Sequence, residues 1–267
     1  MPLVYACIAP HGGRLLGPHK DSPVASCQAA MRAMAERLAA SDARTIVVLT
    51  PHGAYVESAL SVALGASAAG EIDGVTVSAP LAPDFSVAWC YEAAAIGVPV
   101  APIGVSGNDS PFPLDWGVTI PLALLAQNAG DVQLAVGCPA RDLTREQLVD
   151  IGTSILAAAD DQRERVALIV SADQGHGHAA DGRYGFSAAS AEYDASMCAA
   201  IRENDLERLL TWDEGWIDDA MPDSYWQTLS LIAVQRKLGW RSELLAYEVD
   251  HYFGLICAEL RPDEQCR

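Results

Sequence analysis

Short apolar runs rich in β-branched residues alternate along this chain with longer stretches whose apolar positions recur at helical spacing. The runs at 4–9, 45–49 and 165–171 are the most continuous and read as buried strands. Less continuous runs at 59–64, 74–78, 98–103, 132–136, 240–248 and 252–260 read as further strands. Val24, Cys27, Met31, Met34 and Leu38 form the stripe of a helix opened by Ser22-Pro23 and ending near Asp42. Thr144 with Gln147 three residues on is a capping box and predicts a helix to about Ala159. Helices are also predicted over 85–95, 119–127, 188–203, 206–212 and 225–238, the last following an acidic turn at 218–223. Residues 104–113, rich in Gly, Pro, Ser and Asp, read as a loop. No low-complexity linker or composition break interrupts the alternation. The expectation is one α/β domain over 1–267, with a central mostly parallel or mixed sheet flanked by helices.

Three of the strand-like runs stop at histidines. The first ends in Pro10-His11-Gly12 and the second in Pro51-His52-Gly53. The third runs into Asp173-Gln174-Gly175-His176-Gly177-His178. Open α/β sheets bind their ligands beyond the carboxyl ends of strands, so His11 and His52 are expected on one rim, at a shared site. Imidazole is the commonest protein metal ligand. Two imidazoles and one carboxylate on one face of an ion, with positions left open, form the ligand set of non-haem Fe(II) oxygenases. A nearby histidine that is not a ligand can then work as an acid–base, because it titrates close to neutral pH.

Composition narrows the partners. The chain has 267 residues, is 51% hydrophobic and carries a net charge of −18, with Lys20 and Lys237 as its only lysines. A surface this acidic repels phosphate backbones and anionic lipid, so neither nucleic acid nor membrane is expected as a partner. The seven cysteines are scattered without a Cys-x-x-Cys pair, which supports neither a disulfide framework nor a zinc finger. With no basic leader and no apolar run approaching 18 residues, a cytoplasmic protein is expected.

Several short motifs, in order, resemble the class III extradiol ring-cleavage dioxygenases. They are Ala9-Pro10-His11-Gly12, Thr50-Pro51-His52-Gly53, Asp115-Trp116-Gly117 with Pro121-Leu122, Ser171-Ala172-Asp173-Gln174-Gly175-His176, and Tyr184-Gly185-Phe186 with Asp194 beyond. The resemblance covers most of the chain and implies Fe(II) as cofactor, with His11 and His52 as ligands and His176 as the acid–base. It also implies a late carboxylate as third ligand, where the family has a glutamate. Here Asp223 stands nearest that place, with Asp218 and Asp219 as rivals, and all three equally read as a solvated helix start. Many members carry Asp-His-Gly where this chain has Asp115-Trp116-Gly117, which leaves the substrate open.

Asp115 and His178 are the candidates for substrate contacts, although His178 equally reads as a solvated neighbour of His176. Gly175 and Gly177 flank His176 and let the backbone come close to the site. Asp173 reads as a turn cap or as a residue that orients an imidazole. His19 and His251 read as structural or exposed.

The function expected is Fe(II)-dependent opening of a catechol or related ortho-substituted phenol by O2. The partners are then a small aromatic molecule and O2, with a homo-oligomer expected and a small accessory subunit left open. A zinc hydrolase with the same ligands is one alternative, and a non-enzymatic interaction protein similar to the Memo-like proteins is another.

Overall fold

The computed structural model describes residues 2–18, 22–107, 110–127, 129–163 and 165–263. His19 lies outside them. The chain forms β1 (Leu3–Ala9), α1 (Ala25–Ala40), β2 (Thr45–Leu49), β3 (Leu60–Leu64), β4 (Ser67–Ile72), β5 (Val75–Pro80), α2 (Pro83–Ala95), β6 (Val100–Gly104) and β7 (Phe112–Pro113). It continues through α3 (Trp116–Leu125), β8 (Gln133–Pro139), α4 (Arg145–Gln162), β9 (Val166–Ser171) and α5 (Ala188–Arg202). It ends in α6 (Glu214–Ala220), α7 (Tyr225–Thr228), α8 (Ser230–Leu238), β10 (Arg241–Asp250) and β11 (Phe253–Arg261).

Eight strands pair in the order β10-β11-β1-β9-β2-β8-β3-β6. The middle of this sheet, β1-β9-β2-β8, is parallel, while β3 against β8 and the β10-β11-β1 edge are antiparallel. The sheet is therefore mixed. Its parallel centre points the carboxyl ends of β1, β9, β2 and β8 at one rim.

Side chains alternate across this centre as the strand period requires. Tyr5, Cys7, Ile46, Val48 and Ile169 face a core built with α1 and α3. Ala6, Ile8, Val47, Leu49 and Val170 face the opposite core, built with α2, α4, α5 and α8. Helices thus cover both faces, which is why these strands are apolar at nearly every position. Among the described residues the cysteines are free, and no helix is long and apolar enough to cross a membrane.

Several local expectations need correcting. A small second sheet, β5-β4-β7, was not anticipated, because Ser67–Ile72 has no apolar alternation to announce β4. Its hairpin turns at Asp73 and Gly74, both with positive φ, the geometry that favours an Asp-Gly pair. The predicted acidic turn at 218–223 is partly helical, since α6 carries Asp218 and Asp219 and is capped by Asp213. Residues Leu206–Thr211 form a 3-10 helix, and the stretch after Asp223 divides at Leu229 into α7 and α8. Helix α1 starts at Ala25 instead of Pro23, since its free N–H groups at Ser26 and Cys27 are satisfied by the Glu248 carboxylate of β10. The capping box at Thr144 and Gln147 is present with both of its hydrogen bonds.

Candidate metal centre

His11 leaves the end of β1 and is buried. Its backbone N–H donates to Asp173 Oδ1 at 2.9 Å, and its Nδ1 lies 2.9 Å from Ser171 Oγ, the last residue of β9. With Nδ1 engaged there, Nε2 is the nitrogen turned outward. His52 follows β2 and is half-buried. Its N–H donates to Thr50 Oγ1, and the Thr50 hydroxyl in turn donates to Asp115 Oδ1 at 2.9 Å. The indole of Trp116 stacks on the His52 ring, centroids 4.3 Å apart at 29°.

Asp223 arrives from the other side of the rim. Met221, at φ 52, ends α6 in the left-handed conformation and turns the chain through Pro222. The Asp223 Oδ1 accepts the Asp173 N–H at 2.8 Å, and Gln227 Nε2 donates to both the Asp223 and Ser171 carbonyls. Asp223 Oδ2 then stands 3.2 Å from His11 Nε2 and 3.0 Å from His52 Nε2, while the two Nε2 atoms are 3.1 Å apart. Three ligands at right angles around one ion about 2.1 Å away would stand about 3.0 Å from one another. Among the described residues these three form the one His/Cys/Asp/Glu group whose donor atoms converge enough to hold a metal ion. His11 at Nδ1 and Asp223 at Oδ1 are fixed from behind, as metal ligands usually are, while the His52 ring is held by the Trp116 indole on its face. The donor set fits a divalent cation.

The electrostatics agree with that fit. Burial would depress the His11 imidazolium, but the Asp173 and Asp223 carboxylates outweigh it and carry its pKa up to about 9. Burial would raise Asp223, yet the His11 charge and hydrogen bonds from His11 and His52 hold it well below the usual carboxylate range. Asp173, whose Oδ2 is 3.5 Å from His11 Nε2, is pushed up to about 6 by burial. A positive charge at the centre of this cluster is stabilised, and a cation can supply it in place of the proton.

His176 faces the same space from the loop after β9. Its ring stacks on Phe253 at 5.5 Å, with Tyr184 and Tyr252 near its edges, and Nε2 is 3.9 Å from Asp223 Oδ2. Its Nδ1 is buried without a hydrogen-bond partner. The loop is clamped on both sides. Gly175 N–H donates to Asp194 Oδ1 of α5 at 2.7 Å, and Gly254 of β11 exchanges backbone bonds with Gln174 and Gly175. The two glycines beside His176 serve this clamp and not an approach to the cavity: a Cβ at Gly175 or Gly177 would meet Ser190 or Ser187 at under 3 Å.

A cavity of about 540 Å³ opens over the cluster, lined by His11, His52, Asp173, His176 and Asp223 together with aromatic side chains, Arg141 and Arg183. His178 is not in its lining; its Nε2 sits 2.8 Å from the buried Asp194 Oδ2. Asp115 is likewise outside the lining and supports His52 through Thr50. Asp218 lines the cavity but stands apart from the three donors, and Asp219 neither lines the cavity nor joins the donors. His251 is exposed, 3.1 Å from Asp181. Reading the sequence missed Ser171, Thr50 and Gln227 as supports, and Trp116, Tyr252 and Phe253 as walls. Ser171 and Thr50 do carry a signal, as hydroxyl residues closing apolar runs just before a histidine loop.

A family model described as the catalytic LigB subunit of aromatic ring-opening dioxygenase matches residues 5–255. Protein CA_C1420 of Clostridium acetobutylicum is 20% identical over 242 residues, which is 87% of this chain and 51% of that protein. The chain thus spans about half the length of this curated relative. The crystal structure of an uncharacterized protein of Escherichia coli K12, JW3007, superposes with a TM-score of 0.68 at 13% identity. That likeness covers 97% of this chain and 100% of the other, and is a likeness of fold.

Proposed function

The chain belongs to the family of the catalytic LigB subunit of aromatic ring-opening dioxygenase, and on that premise we propose that it is a non-haem Fe(II) extradiol dioxygenase acting on a catechol or related ortho-substituted phenol. The observation that carries this reading is the meeting of His11 Nε2, His52 Nε2 and Asp223 Oδ2 within 3.2 Å, beside a histidine that is not one of the three. Fe(II) held by His11, His52 and Asp223 would supply Lewis-acid polarisation of the substrate and redox activation of O2.

The rest falls to the chain's own residues. His11, His52 and Asp223 present one neutralising carboxylate and two imidazoles on one side, leaving the cavity side open. Trp116, Tyr252 and Phe253 give the aromatic ring apolar walls. His176, held against Phe253, takes the proton of a substrate hydroxyl at Nε2 and returns it as the ring opens. Asp115 and His178 act from behind, the first through Thr50 on His52 and the second through Asp194 on the His176 loop.

The test is metal analysis of protein purified without oxygen, followed by oxygen uptake with catechols. The expected result is about one iron per chain and stoichiometric O2 consumption with a new ring-opened product. Hydrolytic activity with zinc and no O2 uptake would replace this reading with the hydrolase. Failure to hold any divalent ion would leave an interaction protein of the same fold.

A further inference from the structure

The β4–β5 hairpin borders two different spaces. Its tip brings Ile72 to the wall of the metal cavity, where Trp116 and Ile120 of α3 also stand. On its other side β5 borders a separate cleft of about 860 Å³, floored by Leu122, Ala123 and Ala126 from the far end of the same helix. Leu81, just beyond β5, bridges Leu134 of β8, and Ala82 donates to the Leu134 carbonyl at 2.7 Å. The cleft opens from that apex, with residues 130–134 as its opposite wall.

All six residues of β5 line the cleft, odd and even alike, so the strand presents its edge and not one face. β4 lies on the other edge, and among the described residues no strand pairs with β5 on this one. The pairing also says which backbone groups point outward. Leu114 N–H donates to the Ala69 carbonyl, which turns Ala69 toward β7 and away from β5. Ser78 stands opposite Ala69 in the antiparallel register, in a pair that exchanges no hydrogen bonds, so its N–H and C=O face the cleft. Thr76, two residues back, turns the same way.

The edges of the large sheet are defended. β6 is interrupted by Pro102, and β10 carries Arg241, Glu243 and Glu248. β5 has no charged residue from Val75 to Pro80, and its proline comes only at the end. A helix keeps its own backbone bonds, and the edge of a folded sheet does not pass between the cleft walls. What matches an unpaired strand edge set inside a cleft is a free extended segment, about 20 Å long if it follows the six residues of β5. Charge selects its kind. Arg44, the one base among the described residues of the wall, is held by Asp42 at 3.3 Å, which leaves Asp131 uncompensated in a chain of net charge −18.

We propose that this cleft docks an extended basic segment of another protein, which adds as a strand to Thr76 and Ser78 and lays alternate apolar side chains on α3. Such docking needs no metal and stands whether or not the ring-opening reading holds.

The experiment uses a fluorescein-labelled peptide of alternating Thr and Val with Lys at each end, and a twin N-methylated at every residue. The twin keeps the side chains and loses the N–H groups. Fluorescence polarisation against the full chain should show saturable binding of the first peptide and at least about tenfold weaker binding of the twin, the scale of two lost hydrogen bonds. Amide hydrogen exchange locates the peptide: the Thr76 and Ser78 amides should slow when it is added. Ser78→Pro removes one outward N–H and should weaken binding about tenfold. Asp131→Lys should weaken it about twofold to fivefold, the scale of one exposed charge pair, with thermal melts showing that both variants fold. Should Ser78→Pro fail to fold, the methylated twin and Asp131→Lys still decide. No saturable binding, equal affinity for the two peptides, protection at the β6 or β10 edge in place of β5, or unchanged binding by Asp131→Lys overturns the proposal.

Discussion

His11 and His52 meet edge to face, Nε2 to Nε2 at 3.1 Å, although β9 lies between their parent strands in the sheet. Two imidazole lone pairs at that distance repel unless a cation lies between them, whether a proton or a metal. Both nitrogens also reach Asp223, which is why the pair makes a binding site and not a clash.

Each of these histidines should be needed for the metal. His11→Ala and His52→Ala are both expected to abolish tight Fe(II) binding. Their effects on the metal-free fold should differ, since His11 is buried against two carboxylates and His52 is half-buried. His11→Ala should cost about 1–3 kcal/mol, the range for stranding buried polar partners, and His52→Ala less. Iron content and thermal melts check this. Stoichiometric iron in either variant removes the pair from the site.

Asp223→Asn should lose the metal far more completely than Asp218→Asn or Asp219→Asn, because only Asp223 reaches both imidazoles. Equilibrium dialysis of the three variants against Fe(II) compares them directly. Loss of iron from Asp218→Asn alone would move the third ligand to α6.

His176→Ala should keep its iron and lose about 10²–10⁴ in turnover, the range for a general acid–base. His178→Ala should act mainly on stability, by taking one partner from the buried Asp194. Stopped-flow turnover with iron quantified in the same samples separates the two roles. Iron lost with His176 would make it a ligand; normal turnover would end its part in the chemistry.

Metal affinity should depend on pH with a definite sign. The two carboxylates overcome burial and raise His11 from 6.5 to about 9 in the metal-free protein, so an incoming ion displaces a proton. Affinity should fall about tenfold for each unit of pH lowered below that value and level off above it. Stability of the metal-free protein runs the other way. A raised folded-state pKa gives His11 a contribution that is complete below about pH 6.5 and lost as pH rises through 9. Divalent-ion titrations across this range test the first statement and melts test the second. An affinity that is flat between pH 7 and 8 contradicts the assignment.

Much of this protein is written locally. The β-branched runs of β1, β2 and β9 announce buried strands, Pro-His-Gly stops the first two, and Thr144 with Gln147 starts α4. Such signals survive in the sequence because they arise from neighbours a few residues apart, through backbone sterics, side-chain periodicity and capping hydrogen bonds. The same local chemistry places His11 and His52 at strand ends and His176 on the loop that follows β9.

Which strands lie side by side is another matter. The order β1-β9-β2-β8 depends on faces that pack between strands far apart in the sequence, and that order decides that the three histidine-bearing segments share a rim. Asp218, Asp219 and Asp223 are chemically identical, so residue type alone does not rank them, and only the family resemblance put Asp223 ahead of its rivals. The left-handed turn at Met221 and the Asp173 amide aim only Asp223 at the imidazoles. His178 likewise differs from His176 only in what tertiary packing sets before it: a buried aspartate for one, an open cavity for the other.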